Sequence, residues 1–214
     1  MPSIFTVDDF QRETDVSRET LERLEAYVAL LTKWQSALNL VGSRSLSDVW
    51  HRHVLDSAQL IELAPAKART WLDVGSGAGF PGLVLAILGA GDVFLLEKDA
   101  RKCAFLREAI RITGAQAHIV EHRVEIIVEM EPEERPFSRP HVITARAVAP
   151  LGKLLLMVAP LCGPETLCLF PKGQDVEHEL TAIAKYPNID VDKLPSRTAS
   201  GAAILRIKGL ANDK

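Results

Sequence analysis

The fold is decided by residues 71–82, which read Trp71-Leu72-Asp73-Val74-Gly75-Ser76-Gly77-Ala78-Gly79-Phe80-Pro81-Gly82. An apolar run typical of a β-strand ends there in a cluster of glycines, and residues 83–88 then form an apolar run typical of a helix. Glycine permits positive φ angles and close approach of a ligand to the backbone, while Pro81 suits the first turn of a helix. The stretch therefore predicts a strand, a tight turn and a helix that present backbone N–H groups to a ligand.

Two classes of ligand fit such a turn. The spacing G-x-G-x-x-G from Gly77 to Gly82, with Glu97 about 20 residues further on, is the pattern of dinucleotide-binding turns, although the spacing alone is weakly specific. The longer string Asp73-x-Gly75-x-Gly77-x-Gly79 resembles the first motif of class I S-adenosylmethionine-dependent methyltransferases, whose turn accepts a methionine moiety. A glycine-rich turn without a ligand is the third interpretation, and the length of the pattern argues against it.

Length and composition bound the remaining possibilities. The chain has 214 residues, 47% of them hydrophobic, which fits one large domain or a domain with a small appendage. Its formal net charge of −3 gives no support for polyanion binding by the whole molecule, so any nucleic-acid contact must come from a local basic patch.

The cysteines and the apolar runs indicate the compartment. Cys103, Cys162 and Cys168 have no metal-binding spacing, which favours small apolar side chains in a reducing environment. No apolar stretch reaches the length of a membrane span. We therefore expect a cytoplasmic protein without a metal ion. Separately from these observations, we expect a monomer.

Residues 1–66 are expected to form an N-terminal helical region, ahead of a second region over residues 67–214. Ser17 is a plausible N-cap, and an apolar stripe at helical spacing follows it, with Gly42 as the expected stop. A second helix is expected from Ser47. The stripe comprises Leu21, Leu24, Val28, Leu31, Trp34 and Leu38.

Two polar features of this region deserve a functional interpretation beside a structural one. Asn39 lies in the break after the first helix, where it also suits a helix end. The second helix carries His51-Arg52-His53 and Asp56. Spacing alone favours a solvated face for this cluster, because His51 and His53 do not share a helix face and a metal site needs convergent ligands.

From Thr70 onward, strand and helix patterns alternate, which predicts a doubly wound α/β fold with a mostly parallel, seven-stranded sheet. A proline-rich, charged loop is expected over residues 131–140, and the last two strands are expected to form an antiparallel edge. The helix after the fifth strand is predicted from Asp175 to Lys185. The predicted strands are residues 70–74, 93–96, 117–120, 141–145, 166–170, 189–191 and 202–207.

Polar or turn residues follow each of the first five strands, and ligands bind beyond the carboxyl ends of strands in open α/β sheets. These residues are Asp73 with the glycines, Glu97, the segment from Arg123 to Glu125, Arg146 and Lys172. Glu97 could accept two hydrogen bonds from ribose hydroxyls. Arg146 and Lys172 could hold a phosphate or a guanine edge, or form structural ion pairs with Glu125 or Asp73.

Two catalytic patterns are absent from the sequence, and their absence disfavours two kinds of methylation reaction. Enzymes that methylate amino groups usually carry an acid or amide, two prolines and an aromatic residue after the fourth strand, where this chain has Thr144-Ala145-Arg146-Ala147. A carbon-5 pyrimidine enzyme needs a cysteine nucleophile, and Cys162 is far along the chain from the strand edge. Guanine N7 already carries a lone pair, so its methylation needs in-line positioning and tolerance of the new positive charge.

The residues as a whole resemble the ribosomal RNA small subunit methyltransferase G family, also called glucose-inhibited division protein B. The similarity covers nearly the whole chain, and Gly-Phe-Pro-Gly and Arg-His-x-x-Asp-Ser are its most specific elements. The matching motifs are Lys33-Trp34 through Asn39-Leu40, Arg52-His53-x-x-Asp56-Ser57, residues 73–82, Arg101-Lys102-x-x-Phe105-Leu106-Arg107, Arg123-Val124-Glu125, Arg146-Ala147 and Lys172-Gly173.

This resemblance implies an S-adenosylmethionine-dependent enzyme that methylates N7 of one guanosine in 16S ribosomal RNA, acting on the RNA or the 30S particle. It implies a cofactor site of Asp73, Gly75, Gly77, Gly79, Phe80, Glu97, Val124, Glu125 and Arg146. It implies that the RNA and the target base are positioned by Asn39, Arg52, His53, Arg123 and Lys172, which changes the interpretation of the histidine cluster from a solvated face to a substrate contact.

Two positions depart from the family pattern. Glu97 replaces the more usual Asp, and Phe170-Pro171 stands directly before Lys172. The longer acid can fill the same role, whereas Pro171 could alter the loop that carries Lys172. The alternatives left open are a nicotinamide-dependent oxidoreductase and a non-catalytic RNA-binding assembly factor.

Overall fold

A computed structural model of the chain describes residues 5–183 and 189–210. The predicted helix end at Lys185 lies outside the described residues. Within them, the chain begins with a group of helices and continues as an alternation of strands and helices around one seven-stranded sheet.

The N-terminal helices follow the predicted pattern, with a different break. Ser17 accepts a hydrogen bond from the backbone N–H of Thr20 at 3.1 Å, which confirms it as the N-cap. The long helix ends at Asn39 and not at Gly42, because Asn39 adopts the left-handed conformation (φ 43°) that amides tolerate well. These elements are α1 (Val7–Thr14), α2 (Arg18–Leu38), α3 (Ser43–Leu46), a π-helical segment (Trp50–Leu55), α4 (Asp56–Ala58) and a 3₁₀ turn (Ile61–Leu63).

The segment after the break also starts earlier than predicted. Gly42 is the N-cap of α3, so a helical turn begins before Ser47. The chain then continues into the π-helical segment, whose Val54 and Leu55 are fully buried. π-Helical turns are rare and occur frequently at functional sites.

The sheet has the strand order β3-β2-β1-β4-β5-β7-β6. The first five strands are parallel, and β7 is antiparallel to both β5 and β6. The doubly wound α/β class and the antiparallel edge are thereby confirmed. The strands are β1 (Thr70–Val74), β2 (Asp92–Leu96), β3 (Ala117–Val120), β4 (Val142–Thr144), β5 (Leu167–Lys172), β6 (Asp190–Pro195) and β7 (Ala203–Lys208).

Helices cover both faces of the sheet, and the sheet separates the core into two hydrophobic clusters. One cluster contains Tyr27 and Leu31 of the N-terminal helices together with Phe105, so these helices share a core with one face of the sheet. The other lies on the opposite face. The helices are α5 (Gly82–Ile87), α6 (Ala100–Thr113), α7 (Val124–Glu129), α8 (Leu151–Val158) and α9 (Val176–Ile183), with 3₁₀ turns at Pro132–Glu134 and Ala159–Leu161.

The structure also bears on the cysteines and on membrane-spanning helices. Cys103 and Cys168 are buried and Cys162 is partly buried, in keeping with a packing role. Among the helices of the described ranges, none has the length and apolar character needed to cross a membrane.

Candidate cofactor and substrate site

The turn between β1 and α5 requires glycine for two reasons. Gly75, Gly77 and Gly79 have φ angles of 69°, 57° and 97°, where other residues are strained. A Cβ atom at Gly75 would lie 2.7 Å from Val148 Cγ2, and one at Gly82 would lie 2.6 Å from Asp73 Cβ. The glycines therefore bring the backbone of the turn close to the segment after β4 and to the end of β1.

Asp73 lies beneath this turn and is almost fully buried. Its Oδ1 accepts a hydrogen bond from Thr144 Oγ1 at 2.8 Å, and its Oδ2 accepts one from the backbone N–H of Gly82 at 3.2 Å. Burial raises the pKa of Asp73 to about 6, against the opposing effect of these hydrogen bonds. The carboxylate thus joins β1, β4 and the start of α5, and it does not line the cavities described below.

Glu97, directly after β2, is also buried, and backbone N–H groups fix its orientation. Its Oε2 accepts from Gly77 N at 2.9 Å, and its Oε1 accepts from Lys98 N and Asp99 N at 2.8 Å each. A carboxylate has about four acceptor positions, so one remains free. Glu97 can therefore accept one hydrogen bond from a ribose in this arrangement, where the sequence led us to expect two.

Two cavities meet at the carboxyl edge of the sheet. The smaller has a volume of about 310 Å³, and Glu97 and Val124 line it. The larger has a volume of about 1100 Å³, and Phe80, Arg52 and Lys172 line it. The cavities share four residues, which are Gly75, Lys102, Ala147 and Val148.

Arg146, Phe80 and His53 form a packed cluster in the larger cavity. Arg146 Cζ lies 5.1 Å from the centroid of the Phe80 ring, a distance typical of a cation–π contact. The His53 ring stacks on Phe80 with a centroid separation of 4.9 Å and an interplanar angle of 24°. The packing of His53 differs from the solvated face that spacing alone favoured.

Hydrogen bonding assigns the tautomer of His53. Ser45 Oγ donates to the carbonyl oxygen of Gly42 at 2.8 Å, so it must accept from His53 Nε2, also at 2.8 Å. His53 Nδ1 then carries the lone pair, and it is buried without a hydrogen-bond partner in the described part of the chain. Burial lowers the pKa of His53 to about 3, with the charges of Arg146 and Arg52 acting in the same direction. The ring is neutral at pH 7.

The two cations at the ends of β4 and β5 form ion pairs, with partners other than those considered from the sequence. Arg146 Nη1 lies 3.3 Å from Asp56 Oδ2, and Lys172 Nζ lies 2.6 Å from Glu179 Oε2. Glu125 and Asp73 were the expected partners. Asp56 is 90 residues from Arg146 in sequence, and the π-helical segment brings it to the sheet edge.

The remaining predicted site residues have different positions. Glu125 lines the smaller cavity, and Arg123 is exposed where that cavity adjoins a third, open cavity of about 430 Å³. Asn39 is exposed, and its neighbours Leu40 and Val41 line the larger cavity. Gly77 lines the larger cavity, whereas Gly79 is buried behind it.

A family model described as rRNA small subunit methyltransferase G matches residues 20–201.

The chain belongs to this family.

Relatives named ribosomal RNA small subunit methyltransferase G extend over almost the full chain. The protein of Rhodospirillum centenum is 48% identical over 97% of this chain and 92% of its own length. The protein of Paramagnetospirillum magneticum is 45% identical, and the match covers 97% of each chain. The resemblance inferred from the motifs is thereby confirmed.

Solved structures confirm the class I methyltransferase fold of this methyltransferase G family member. The crystal structure of cofactor-bound Rv0187 from MTB superposes with a TM-score of 0.68 at 16% identity, over 99% of this chain and all (100%) of that chain. The S-adenosylhomocysteine-bound methyltransferase PaMTH1 of Podospora anserina gives a TM-score of 0.64 at 14% identity, over 94% of this chain and 92% of that one.

The topology separates this methyltransferase G fold from the dinucleotide-binding alternative. Dinucleotide-binding sheets have the strand order 3-2-1-4-5-6, all parallel. Here the antiparallel β7 is inserted between β5 and β6. The G-x-G-x-x-G spacing therefore occurs in a sheet of a different topology, and the preceding Asp73-x-Gly75 was the more informative part of the motif.

The sequence did not single out two residues that complete the site, Tyr27 and Thr198. Tyr27 of α2 donates a hydrogen bond from its hydroxyl to the carbonyl oxygen of Ala78 in the glycine turn at 2.6 Å. Thr198, between β6 and β7, donates to Asp56 at 2.8 Å, and Lys102 lines both cavities. The family motifs included Asp56 and Lys102, whereas no local pattern marks Tyr27 or Thr198.

Within residues 5–183 and 189–210, no group of three or more His, Cys, Asp or Glu residues could hold a metal ion. None of Cys103, Cys162 and Cys168 lines any of the three cavities.

Proposed function

We propose that the chain transfers a methyl group from S-adenosylmethionine to N7 of a specific guanosine in 16S ribosomal RNA. The observation that carries this proposal is the junction of the two cavities at Gly75. A donor whose adenosine occupied the smaller cavity would extend past the glycine turn into the larger one. The larger cavity is wide enough for a nucleobase and is lined by Arg52 and Arg146.

The residues present fit this cofactor. A side chain at Gly75 would collide with Val148, so the turn requires glycine there, and Gly75 lines both cavities. Glu97 is held by three backbone N–H groups and keeps one acceptor position for a ribose hydroxyl. We assign Glu97, Val124 and Glu125 to the adenosine, and Gly75, Gly77, Phe80 and Arg146 to the methionine end. Asp73 and Gly79 support the turn from beneath.

The chemistry that the cofactor supplies is a sulfonium methyl group activated for nucleophilic attack. Guanine N7 attacks with its own lone pair, so the protein must orient the base and not deprotonate it. Arg52 and Lys172 line the cavity where the RNA would bind, and cations there could hold a phosphate or the O6 atom of guanine while N7 stays free to attack. His53 is neutral and adds no positive charge beside a cationic donor and a product base that becomes cationic.

Two further positions are assigned to the RNA but not to its target nucleotide. Asn39 ends α2 beside the larger cavity, and Arg123 is exposed beside the smaller one. We propose that both contact RNA outside the target nucleotide. Since Pro171 lies within β5, Lys172 is held at the end of a regular strand, and its position is compatible with a substrate contact.

The domain organisation, partners and location form part of the same proposal. Residues 1–66 would supply the cavity wall around Arg52 and His53, and residues 67–214 would supply the cofactor site. The RNA would be bound as naked 16S RNA or within the 30S particle. We also propose a monomer in the cytoplasm, which light scattering of the purified protein and fractionation of cells would test.

A transfer assay with a radiolabelled methyl donor tests the activity. RNA from cells lacking the corresponding gene should accept about one methyl group per small-subunit RNA, whereas RNA from cells that carry it should accept almost none. Parallel reactions with naked RNA and with 30S particles identify the substrate. Donor binding without transfer to either would favour the non-catalytic assembly factor, and NADH binding without donor binding would favour the oxidoreductase.

A further inference from the structure

Asp56 connects three separate parts of the larger cavity. Its Oδ2 accepts a hydrogen bond from Arg146 Nη1 at 3.3 Å. Its Oδ1 accepts from Thr198 Oγ1 at 2.8 Å and from Gln59 Nε2 at 3.0 Å. One carboxylate therefore joins the end of β4, the β6–β7 loop and the segment after the π-helical turn.

This ion pair differs from the surface pairs elsewhere on the molecule. The side chains of Arg146 and Asp56 are only 18% and 15% exposed. Arg146 also donates to the carbonyl oxygen of Arg52 at 3.1 Å and packs over Phe80, so its position is fixed from several sides. A pair this sheltered is screened much less by water and salt than an exposed one.

The charge of the pair matters because of the donor that the cavity would receive. S-Adenosylmethionine carries a positive charge on sulfur, whereas its product S-adenosylhomocysteine carries none there. An uncompensated Arg146 in the cavity would repel the donor and not the product.

The other charged groups of this cavity leave the neutralisation of the Arg146 charge to Asp56. Lys172 is already paired with Glu179, and His53 is neutral. Arg52 and Lys102 add positive charge to the lining. The Asp175 carboxylate also lines the cavity but is exposed, so water screens it.

We propose that Asp56 is a positioning residue and counter-charge for the methyl donor site. It holds the Arg146 guanidinium over Phe80 and cancels its charge, with Thr198 of the β6–β7 loop fixing the carboxylate. The inference rests on the proposed S-adenosylmethionine-dependent function, and it extends the site to a loop far from the cofactor-binding turn. Arg146 can then contact substrate without weakening the binding of a cationic cofactor.

The decisive experiment compares two ligands that differ in charge. Calorimetric titration of wild type and Asp56→Asn with S-adenosylmethionine and with S-adenosylhomocysteine gives four dissociation constants. The amide still accepts a hydrogen bond from Arg146, but it removes the negative charge. We expect Asp56→Asn to raise the Kd of S-adenosylmethionine about fivefold and that of S-adenosylhomocysteine less than about twofold.

A matched control is available at the edge of the sheet. Asp192 of β6 pairs with Arg206 of β7 at 2.6 Å, and both side chains are partly exposed away from the cavities. Asp192→Asn removes the same charge from a more exposed pair of the same two residue types. It should leave the ratio of the two dissociation constants unchanged, which excludes an effect of net charge alone.

The outcomes separate this inference from the proposed function. Equal weakening of both ligands, or no weakening of either, would overturn the counter-charge role while leaving the function intact. A wild-type protein that bound neither ligand would instead overturn the function. If Asp56→Asn does not fold, Arg146→Gln is measured in its place. Asp56 is then left without its cation, so the Kd of S-adenosylmethionine should fall relative to that of S-adenosylhomocysteine, and an unchanged ratio would overturn the counter-charge role.

Discussion

Arg146 lies over the ring of Phe80, with its Cζ atom 5.1 Å from the ring centroid. Arg146 follows β4, and Phe80 belongs to the glycine turn after β1, so the contact joins the ends of two adjacent parallel strands. It places a cation beside the turn that would receive the cofactor. The predictions below test the groups that surround this contact.

Replacing Arg146 by alanine should affect activity far more than stability. We expect kcat/KM for the RNA to fall about 100-fold, because a positioned cation is lost from the cavity. The free energy of unfolding should fall by only about 1 kcal/mol, because Asp56 keeps its donors Thr198 and Gln59. Steady-state kinetics and urea denaturation measure the two effects. Arg206→Ala, which breaks an ion pair away from the cavities, is the control, and parallel losses of stability and activity in Arg146→Ala would contradict a site role.

The buried Tyr27 should support the cofactor turn through its hydroxyl. Tyr27→Phe removes the 2.6 Å hydrogen bond to Ala78 and leaves a buried carbonyl group without that donor. We expect a loss of about 1–2 kcal/mol in unfolding free energy and weaker S-adenosylmethionine binding. Thr32→Val, which removes an exposed hydroxyl that also donates to a backbone carbonyl on α2, should change neither. Unchanged cofactor affinity in Tyr27→Phe would show that the turn does not depend on this contact.

The charge of Glu97 should be needed for cofactor binding. Glu97→Gln replaces one carboxylate oxygen by a donor, which cannot accept from the backbone N–H groups that now point at it. The Kd of S-adenosylmethionine should rise about tenfold in calorimetric titration. Glu108→Gln, which alters an exposed pair with Arg111 on α6, should bind like wild type. Full affinity in Glu97→Gln would remove Glu97 from the cofactor site.

His53 should make stability depend on pH in an acid range. Its pKa is lowered to about 3 in the folded chain, below the ordinary value of about 6.5. As the pH falls below about 6.5, the unfolded chain takes up a proton that the folded chain does not, so stability is lost towards about pH 3. The stability of wild type relative to His53→Gln should therefore fall with decreasing pH, by up to about 1.4 kcal/mol per unit. Urea denaturation between pH 4 and 8 measures it, and a difference that is constant with pH would contradict a buried neutral ring.

The sequence predicted the parts of the fold that depend on local patterns. Glycine spacing after an apolar strand predicted the cofactor turn, and Ser17 predicted a helix start, because both depend on neighbouring residues. The end of α2 was predicted at Gly42 but lies at Asn39, because both residue types tolerate the left-handed conformation. Contacts such as the hydrogen bond from Val41 N to the Gln35 side chain decide between them.

The predicted site was less complete where contacts span long stretches of chain. Arg146 was correctly placed at the sheet edge, but its partner Asp56 is 90 residues before it in the chain, and Thr198 is 142 residues after Asp56. Side chains joined over such separations leave no local pattern. The ion pair of Lys172 with Glu179 spans only seven residues, but it depends on the conformation of the turn between β5 and α9.

Mass spectrometry of the modified RNA tests the central claim most directly. Purified protein is incubated with S-adenosylmethionine and small-subunit RNA from cells that lack the corresponding gene, and nuclease fragments are sequenced by mass. The account predicts one 7-methylguanosine at a single position, absent when S-adenosylhomocysteine replaces the donor. A methyl group on any other base or atom, or none on either naked RNA or 30S particles, would contradict it.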